Sequence, residues 1–531
     1  MERSAVPNFG NYEIPTNFFE TQENVDFDYV DTNFNFQQIA EFGGVLDKEW
    51  QQVLVTSYAI KENISDAGID RLGSLFKAFI GDQFLISKSD VIRQKKLWLS
   101  PFDIQEKLLC LKCKNGVPNM QKSCRCGADR SERVIITTAS ITPHLLHILE
   151  KNEQEFFRQR QITNKRGDLS DYMPVQNDTN ELILELLINT DGVVAKSNSR
   201  RPFHPIFIMI KNLCGAKRSA IKNLLLAGII SGVKTPDKQF FELALDRLYF
   251  ELQHLKEGII YTSKSGQQFR VKAVVTDAIL DQIEAKIVYD LASHMSYGFA
   301  CTICETFPTR EDNAQRWPLS SGQLRTTPYG TGLPTNDTAF ARIAPSSMYR
   351  LDGLHVLDEG LCKSLLYYLK NNFKIMDTVQ IEINRALMKN GNNCFTYAKT
   401  LKGLNAHELR LFFTISVPLL TIAQPLDTKV QSSFLFWHLC RLLYSKHLNV
   451  EIINDIAPVF ELLGRAFEDA FGSLFKTIKG HRFFGHGGEE LKKHGTPADF
   501  SAAPCESGNR HLKILFTPYN TRGFDRSLLQ R

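Results

Sequence analysis

Residues 181–194 read ELILELLINTDGVV. An apolar run of strand length ends on an acid and a glycine, the pattern of a buried strand that delivers a carboxylate at its end. Residues 203–213 (FHPIFIMIKNL) make a second such run, and residues 223–232 (NLLLAGIISG) a third, shorter one. Residues 236–258 (PDKQFFELALDRLYFELQHLKEG) predict a long helix, with Pro236 near its first turn and Gly258 just past its end. Residues 269–278 (FRVKAVVTDA) predict another strand, in which Asp277 marks the end. Three strands, a helix and a further strand predict an α/β unit carrying acids at strand ends.

Outward from this unit the chain changes character. Residues 1–35 are rich in Asn, Phe and acids and read as an irregular acidic tail. Residues 36–100 read as helices: Ser65 predicts an N-cap, and Ile69, Leu72, Leu75, Phe76 and Phe79 a buried face. Residues 101–175 hold a cysteine cluster and then a polar, basic stretch that reads as a linker or DNA-facing arm. The α/β unit takes residues 176–305. Residues 306–400 read as a Pro-, Thr-, Ser- and Gly-rich loop leading into a helical insertion, and residues 401–531 as a helical C-terminal region.

Composition is that of a globular protein, with 43% apolar and 23% charged residues and a net charge of +5. The charge is uneven. The first 50 residues hold ten acids against two bases, so the remainder is distinctly basic and suited to a polyanion. The N-terminus has no apolar run of signal-peptide type. Residues 411–426 (LFFTISVPLLTIAQPL), the most apolar stretch, contain Pro418 and Pro425 and predict a buried helix pair rather than a membrane span. An intracellular chain is expected, whose eleven cysteines are metal ligands and buried thiols rather than disulfides.

Cys110 and Cys113 are followed by Cys124 and Cys126, among Lys112, Lys114, Lys122, Arg125 and Arg130. Two close pairs across a short loop predict a structural zinc site with four thiolates and no open position for water. Cys301 and Cys304 form a further C-x-x-C, and Asp352 and His355 a D-x-x-H. These four predict a second zinc site, with His294 as an alternative to Asp352. Otherwise Asp352 and His355 stand beside catalytic acids. His481 and His486 are open to two readings, metal ligand and phosphate contact.

Phosphodiester cleavage with two metal ions needs about three converging carboxylates, and Mg²⁺ prefers such hard oxygen ligands. Asp191 and Asp277 are candidates as strand-end acids. An ordered series of segments then adds to this: LINTDGVVAKSNSRRPFHPIFIMIKNL (187–213), KNLLLAGIISGVKTP (222–236), HLKEGI (254–259), SYGFACTIC (296–304), LDGLHVLDEGLCKSLL (351–366), LNAHELRLFFTISVPLL (404–420) and SAAPCESGNRHLK (501–513). The series, spread over residues 50–515, resembles transposases of the CACTA (En/Spm) superfamily. The resemblance implies an RNase H-like catalytic core, a mixed sheet with flanking helices, interrupted by a helical insertion. It implies a DDE triad of Asp191, a second Asp and Glu408. Asp277 is favoured as the second acid for its strand-end position, with Asp281 as the alternative because Ala285 and Lys286 follow it. Mg²⁺ or Mn²⁺ would be the catalytic cofactor and Zn²⁺ the structural one.

The partners implied are DNA, as terminal inverted repeats and as target, and further copies of the chain, with nuclear localisation and no membrane. Arg200, Arg201, Lys211, Lys217, Arg218 and Lys222 cluster after Asp191 and are candidates for phosphate contacts. The rival reading is a host-recruited DNA-binding or chromatin protein that kept the fold without turnover.

Overall fold

The computed structural model describes residues 48–515 apart from 62–65, 81–84, 100–102, 118–122, 130–131, 158–163, 174–179, 195–201, 291–300, 312, 326–337, 382–400, 402–403 and 446. The chain forms two compact units, residues 1–98 and 99–531. The first contains helices α1 (Lys48–Lys61), α2 (Asp66–Ile80) and α3 (Lys88–Leu99). Val55, Ala59, Ile69, Ile86 and Val91 form its small core, with Leu72 and Phe76 against it. Of the face its periodicity predicts on α2, Ile69 is buried and Leu72 and Phe76 pack against it, whereas Leu75 is exposed; Ser65, the expected cap, lies outside the described residues.

The second unit is built on one mixed sheet. Its strands are β1 (Gln105–Cys110), β2 (Arg133–Thr138), β3 (Glu181–Thr190), β4 (Val193–Val194), β5 (Pro202–Ile210), β6 (Leu225–Ser231), β7 (Ile259–Thr262) and β8 (Gln268–Ile279). The order is β1-β2-β6-β5-β3-β8-β7, with the short β4 also on β5. Only β3 and β8 run parallel, and the others pair antiparallel. The three strands, helix and strand read from the sequence are β3, β5, β6, α5 (Lys238–Glu257) and β8. The stretch read as a zinc module and linker is different. It supplies β1 and β2 of this same sheet and then α4 (Thr142–Lys151), so the cysteine loop is a hairpin on the sheet's edge. Its alternation was hidden because all six β2 residues but Ile135 are buried, which erases the period-two signal.

Successive residues of a strand point to opposite faces, and both faces of the central strands are covered. On one, Leu184, Leu186, Ile188, Ile206, Ile208 and Ile210 meet Phe240, Phe241, Ala244, Leu248 and Leu252 of α5. On the other, Leu187, Phe203, Phe207 and Met209 meet Cys505 and Leu512 of the last described helix, Ala503–Leu515.

After β8 come α6 (Gln282–Val288) and then a largely helical body: a π-helix (Gly353–Cys362), α7 (Lys363–Asn372), α8 (Ala406–Ala423), α9 (Thr428–Leu443), α10 (Val459–Phe471) and a second π-helix (His481–His486). The Ala503–Leu515 helix, α11, closes the described chain. The body has its own core, in which Phe436, Phe460, Phe467, Phe483 and Phe484 pack together with Leu365, Leu366, Leu409 and Phe413. The predicted break at Pro418 does not occur. The α8 helix runs through it and ends before Pro425. Pro418 has no N–H for the carbonyl of Thr414, and the Trp437 indole on α9 donates to that oxygen instead, at 2.9 Å. By length and composition α8 is apolar enough to span a membrane, yet Leu409, Phe412, Phe413, Val417 and Leu420 are buried in the helical core.

Candidate functional site

Asp191 stands in a two-residue interruption between β3 and β4, which both pair with β5. Gly192 is required there. A Cβ at this position would lie 2.7 Å from Cε1 of His204, on the facing strand. The interruption carries the Asp191 carboxyl out of the ladder while the strand continues. His204 is itself fixed: one ring nitrogen lies 3.0 Å from the Lys234 carbonyl and the other 3.4 Å from Glu284.

Three other carboxylates face Asp191. Its pKa is pushed up to about 9, first by burial, then by a hydrogen bond to Glu506 and by the charges of Glu506, Asp281 and Glu284. Asp281 follows the end of β8 and caps α6, accepting from the Glu284 N–H at 2.6 Å. Glu506 comes from the first turn of α11. Parallel pairing of β3 with β8 places the two strand ends side by side, and α11 crosses the adjoining face. Burial and the surplus negative charge around it both favour the protonated form of Asp191. The donor set is all carboxylate oxygen, the hard type that Mg²⁺ or Mn²⁺ takes. Asp191, Asp281 and Glu506 share that chemistry, but they are not among the groups of described residues whose ligand atoms all lie within 4.8 Å of one another.

Asp277, the favoured second acid, lies elsewhere. It is 1% exposed within β8 and ion-paired with Lys211 at 2.5 Å and with Arg350. Those two cations hold its carboxyl below the ordinary range against the opposing effect of burial. β8 runs past Asp277 to Ile279, so Asp277 is not at the strand end, and the acid that leaves the sheet is Asp281, the stated alternative. Asp277→Asn would leave Lys211 and Arg350 without their shared counter-ion, at a cost of about 3–5 kcal/mol. A large drop in melting temperature is expected by calorimetry.

Glu408 does not reach the cluster through any described contact. It completes a capping box at the start of α8, accepting from Asn405 N at 2.7 Å while Asn405 accepts from Glu408 N at 3.0 Å. The glutamate hydrogen-bonded to Asp191 is Glu506.

Asp352 and His355 stand beside the acids rather than on a zinc ion. Asp352 caps the first π-helix, accepting from Leu354 N at 2.8 Å, His355 N at 3.2 Å and Ala502 N at 2.9 Å. It also holds the His355 ring. Burial opposes protonation of His355, but the bond and charge of Asp352, with Asp191 and Asp281 behind, push its pKa up to about 9. The Ala502 bond ties the start of α11, and so Glu506, to this corner.

Two cysteine-containing centres could each hold a metal such as zinc. The first is the predicted one. Cys110 lies 3.5 Å from Cys126, and Cys113 lies 3.5 Å from Cys124. Bonds of about 2.3 Å to sulfur and 2.0–2.1 Å to nitrogen in a tetrahedron require donor separations of about 3.3–3.8 Å. The second centre joins Cys301 and Cys304 to His481 and His486, not to His355 and Asp352; His294 lies outside the described residues. Cys304 is 3.3 Å from His481 Nε2, Cys301 is 3.5 Å from His486 Nε2, and the two imidazole nitrogens are 3.3 Å apart, the same tetrahedral edges. Hydrogen bonding from Cys301, then from the histidines, draws the Cys304 thiol well below its usual range. His481 Nδ1 meets the Pro318 carbonyl at 2.7 Å, which leaves Nε2 for a metal. Residues five apart would face different ways on an α-helix. The π-turn over His481–His486, closed by bonds from i to i+5, brings them together. Purified protein is expected to carry two zinc ions per chain by elemental analysis, and a Cys301→Ser variant one.

Two of the six proposed phosphate-contacting residues are spent inside the fold. Lys211 is buried between Glu185 and Asp277, and Arg218 is buried against Asp168. Lys217 pairs with Glu155, and Lys222 is exposed. Arg200 and Arg201 lie outside the described residues. No protein-family model matches this chain, and no curated protein sequence matches it.

Proposed function

We propose that this chain is a DNA transposase of the DDE type that cuts and joins DNA strands with Mg²⁺ or Mn²⁺, on an RNase H-like sheet interrupted by a helical insertion. The observation that carries this is the convergence of Asp191, Asp281 and Glu506 from two neighbouring strand ends and one crossing helix. The strand order β6-β5-β3-β8, with α5 between β6 and β8, suits that fold. The resemblance to CACTA transposases supports it independently of the geometry.

When bound, the metal ions would activate the attacking water or 3′-hydroxyl and stabilise the leaving oxygen. The chain's own residues set the rest. Asp191, whose surroundings favour its protonated form, would lose that proton when a cation is bound. Asp281 is held in place by the cap it makes on α6. Asp352 orients His355 toward the acids, where the imidazolium offers a positive donor to a phosphate. Two transposon ends must be handled together, so the active species would be a dimer or larger assembly, working in the nucleus.

The test is nicking of supercoiled DNA by the zinc-loaded full chain in Mg²⁺ or Mn²⁺, wild type against Asp191→Asn. Cutting by the wild type alone supports the enzyme. Equal behaviour with salt-sensitive binding preserved would replace it by a recruited DNA-binding protein that lacks turnover.

A further inference from the structure

Between Asp281 and the Cys301–His486 centre lies a cavity of about 30 Å³, lined by Asp281, Gln282, Thr302, His355, Lys479 and Arg482 among others. Three of these residues carry buried polar atoms with no hydrogen-bond partner: Gln282 Nε2, Thr302 Oγ1 and Arg482 Nε. All three can donate. Arg482 is only 5% exposed, and its other contacts are the Tyr349 carbonyl at 3.0 Å, the Tyr349 ring at 4.0 Å and Glu490 at 3.9 Å. Lys479 is tied to the His355 carbonyl at 2.7 Å. Leaving a buried donor without an acceptor costs about 1–3 kcal/mol, and native proteins keep such groups where a ligand supplies the missing partner. Here the lining holds Lys479, Arg482 and the His355 ring against the one carboxylate of Asp281, and that carboxylate is already engaged with Glu284 N.

We infer that this cavity is a phosphate-oxygen subsite, which takes a non-bridging oxygen of the DNA backbone next to the phosphodiester held at the acid cluster. The inference rests on the nuclease reading of that cluster and adds where the neighbouring phosphate sits. Size selects the group: about 30 Å³ holds something the size of one water, which admits a phosphate oxygen and excludes a base. The site therefore reads backbone and not sequence. It also ties DNA binding to the metal centre, since Thr302 lies between Cys301 and Cys304, and Lys479 and Arg482 flank His481.

The experiment is binding of a short duplex to the zinc-loaded full chain, without Mg²⁺, by fluorescence anisotropy over a range of salt concentrations. Lys479→Gln is expected to weaken binding about tenfold and to lower the slope of log affinity against log salt by about one. Thr302→Val removes a donor without changing charge. It should weaken binding about threefold at unchanged slope, while zinc content and melting temperature do not fall, because the hydroxyl has no protein partner to lose. Unchanged DNA binding in both variants would mean the cavity holds only water and overturns the proposal. So would a wild-type slope in Lys479→Gln together with stabilisation of the wild type, but not of Thr302→Val, by inorganic phosphate, which would make it a site for the free anion. Loss of a phosphate contact without any metal-dependent cutting would sink the nuclease reading and leave the subsite standing.

Discussion

Asp191→Asn is expected to abolish metal-dependent DNA cleavage and at the same time raise the melting temperature of the metal-free protein. The loss should be on the order of a thousandfold or more, as for removal of a group that acts as part of a catalytic unit, and Asp281→Asn and Glu506→Gln should match it. Glu408→Gln should cut like the wild type and lose only the capping box, about 1 kcal/mol. The gain in stability follows from charge. Asp191 has its pKa raised to about 9 from an ordinary 3.8, so the fold favours its protonated form. Stability from this group is fully present below pH 4 and declines as pH rises toward 9. An Asn keeps the shape and never ionises. At pH 8 it should be the more stable protein in EDTA-free, Mg²⁺-free buffer, by roughly 1–3 kcal/mol, and the difference should vanish near pH 4. A destabilised Asp191→Asn with wild-type cleavage would show that Asp191 is an ordinary packed carboxyl. Calorimetry and a nicking assay on the same preparations decide it.

The largest effect on folding is expected at the second cysteine–histidine centre. All four of its ligands are buried, so loss of the ion leaves two thiols and two imidazoles crowded together without water. Structural zinc contributes about 10–16 kcal/mol of apparent binding energy in small domains, more than the whole stability of a typical fold. His481→Ala or a strong chelator should therefore release the helical body from the sheet, seen as lost near-ultraviolet signal and proteolysis between residues 304 and 481. Removing Cys126, the exposed ligand of the hairpin centre, should cost far less, because β1 and β2 remain paired through their ladder. Equal losses at both centres would show that neither clasps the body to the sheet.

The central strands and α5 were legible because their signals are local: continuous apolar runs, a proline at the helix start and a glycine at its end. The first four cysteines were legible for the same reason, being close in sequence. The readings that failed depended on contacts across the chain. Asp277 looked terminal because an acid after VVT normally ends a strand, and only its pairing with Lys211 and Arg350 allows it inside. Glu506 stood in the quoted segment SAAPCESGNRHLK, but nothing local says that α11 folds onto Asp191. The spacing of His481 and His486 is not one an α-helix would use for two ligands on one face, so the signal was there as an irregularity. A π-turn is needed to read it.

The separation of 177 residues between Cys304 and His481 has an evolutionary consequence. A clasp at the two ends of a long excursion makes the length of that excursion nearly free. Doubling a closed loop adds only about 0.6 kcal/mol of entropy cost, and the ends remain where the ligands hold them. Helices of the body away from Asp352 and His355, which hold the corner next to Glu506, can thus be gained, lost or exchanged without moving Asp191, Asp281 or Glu506. New surfaces can be tried there as interchangeable cassettes, while the carboxylates keep their positions.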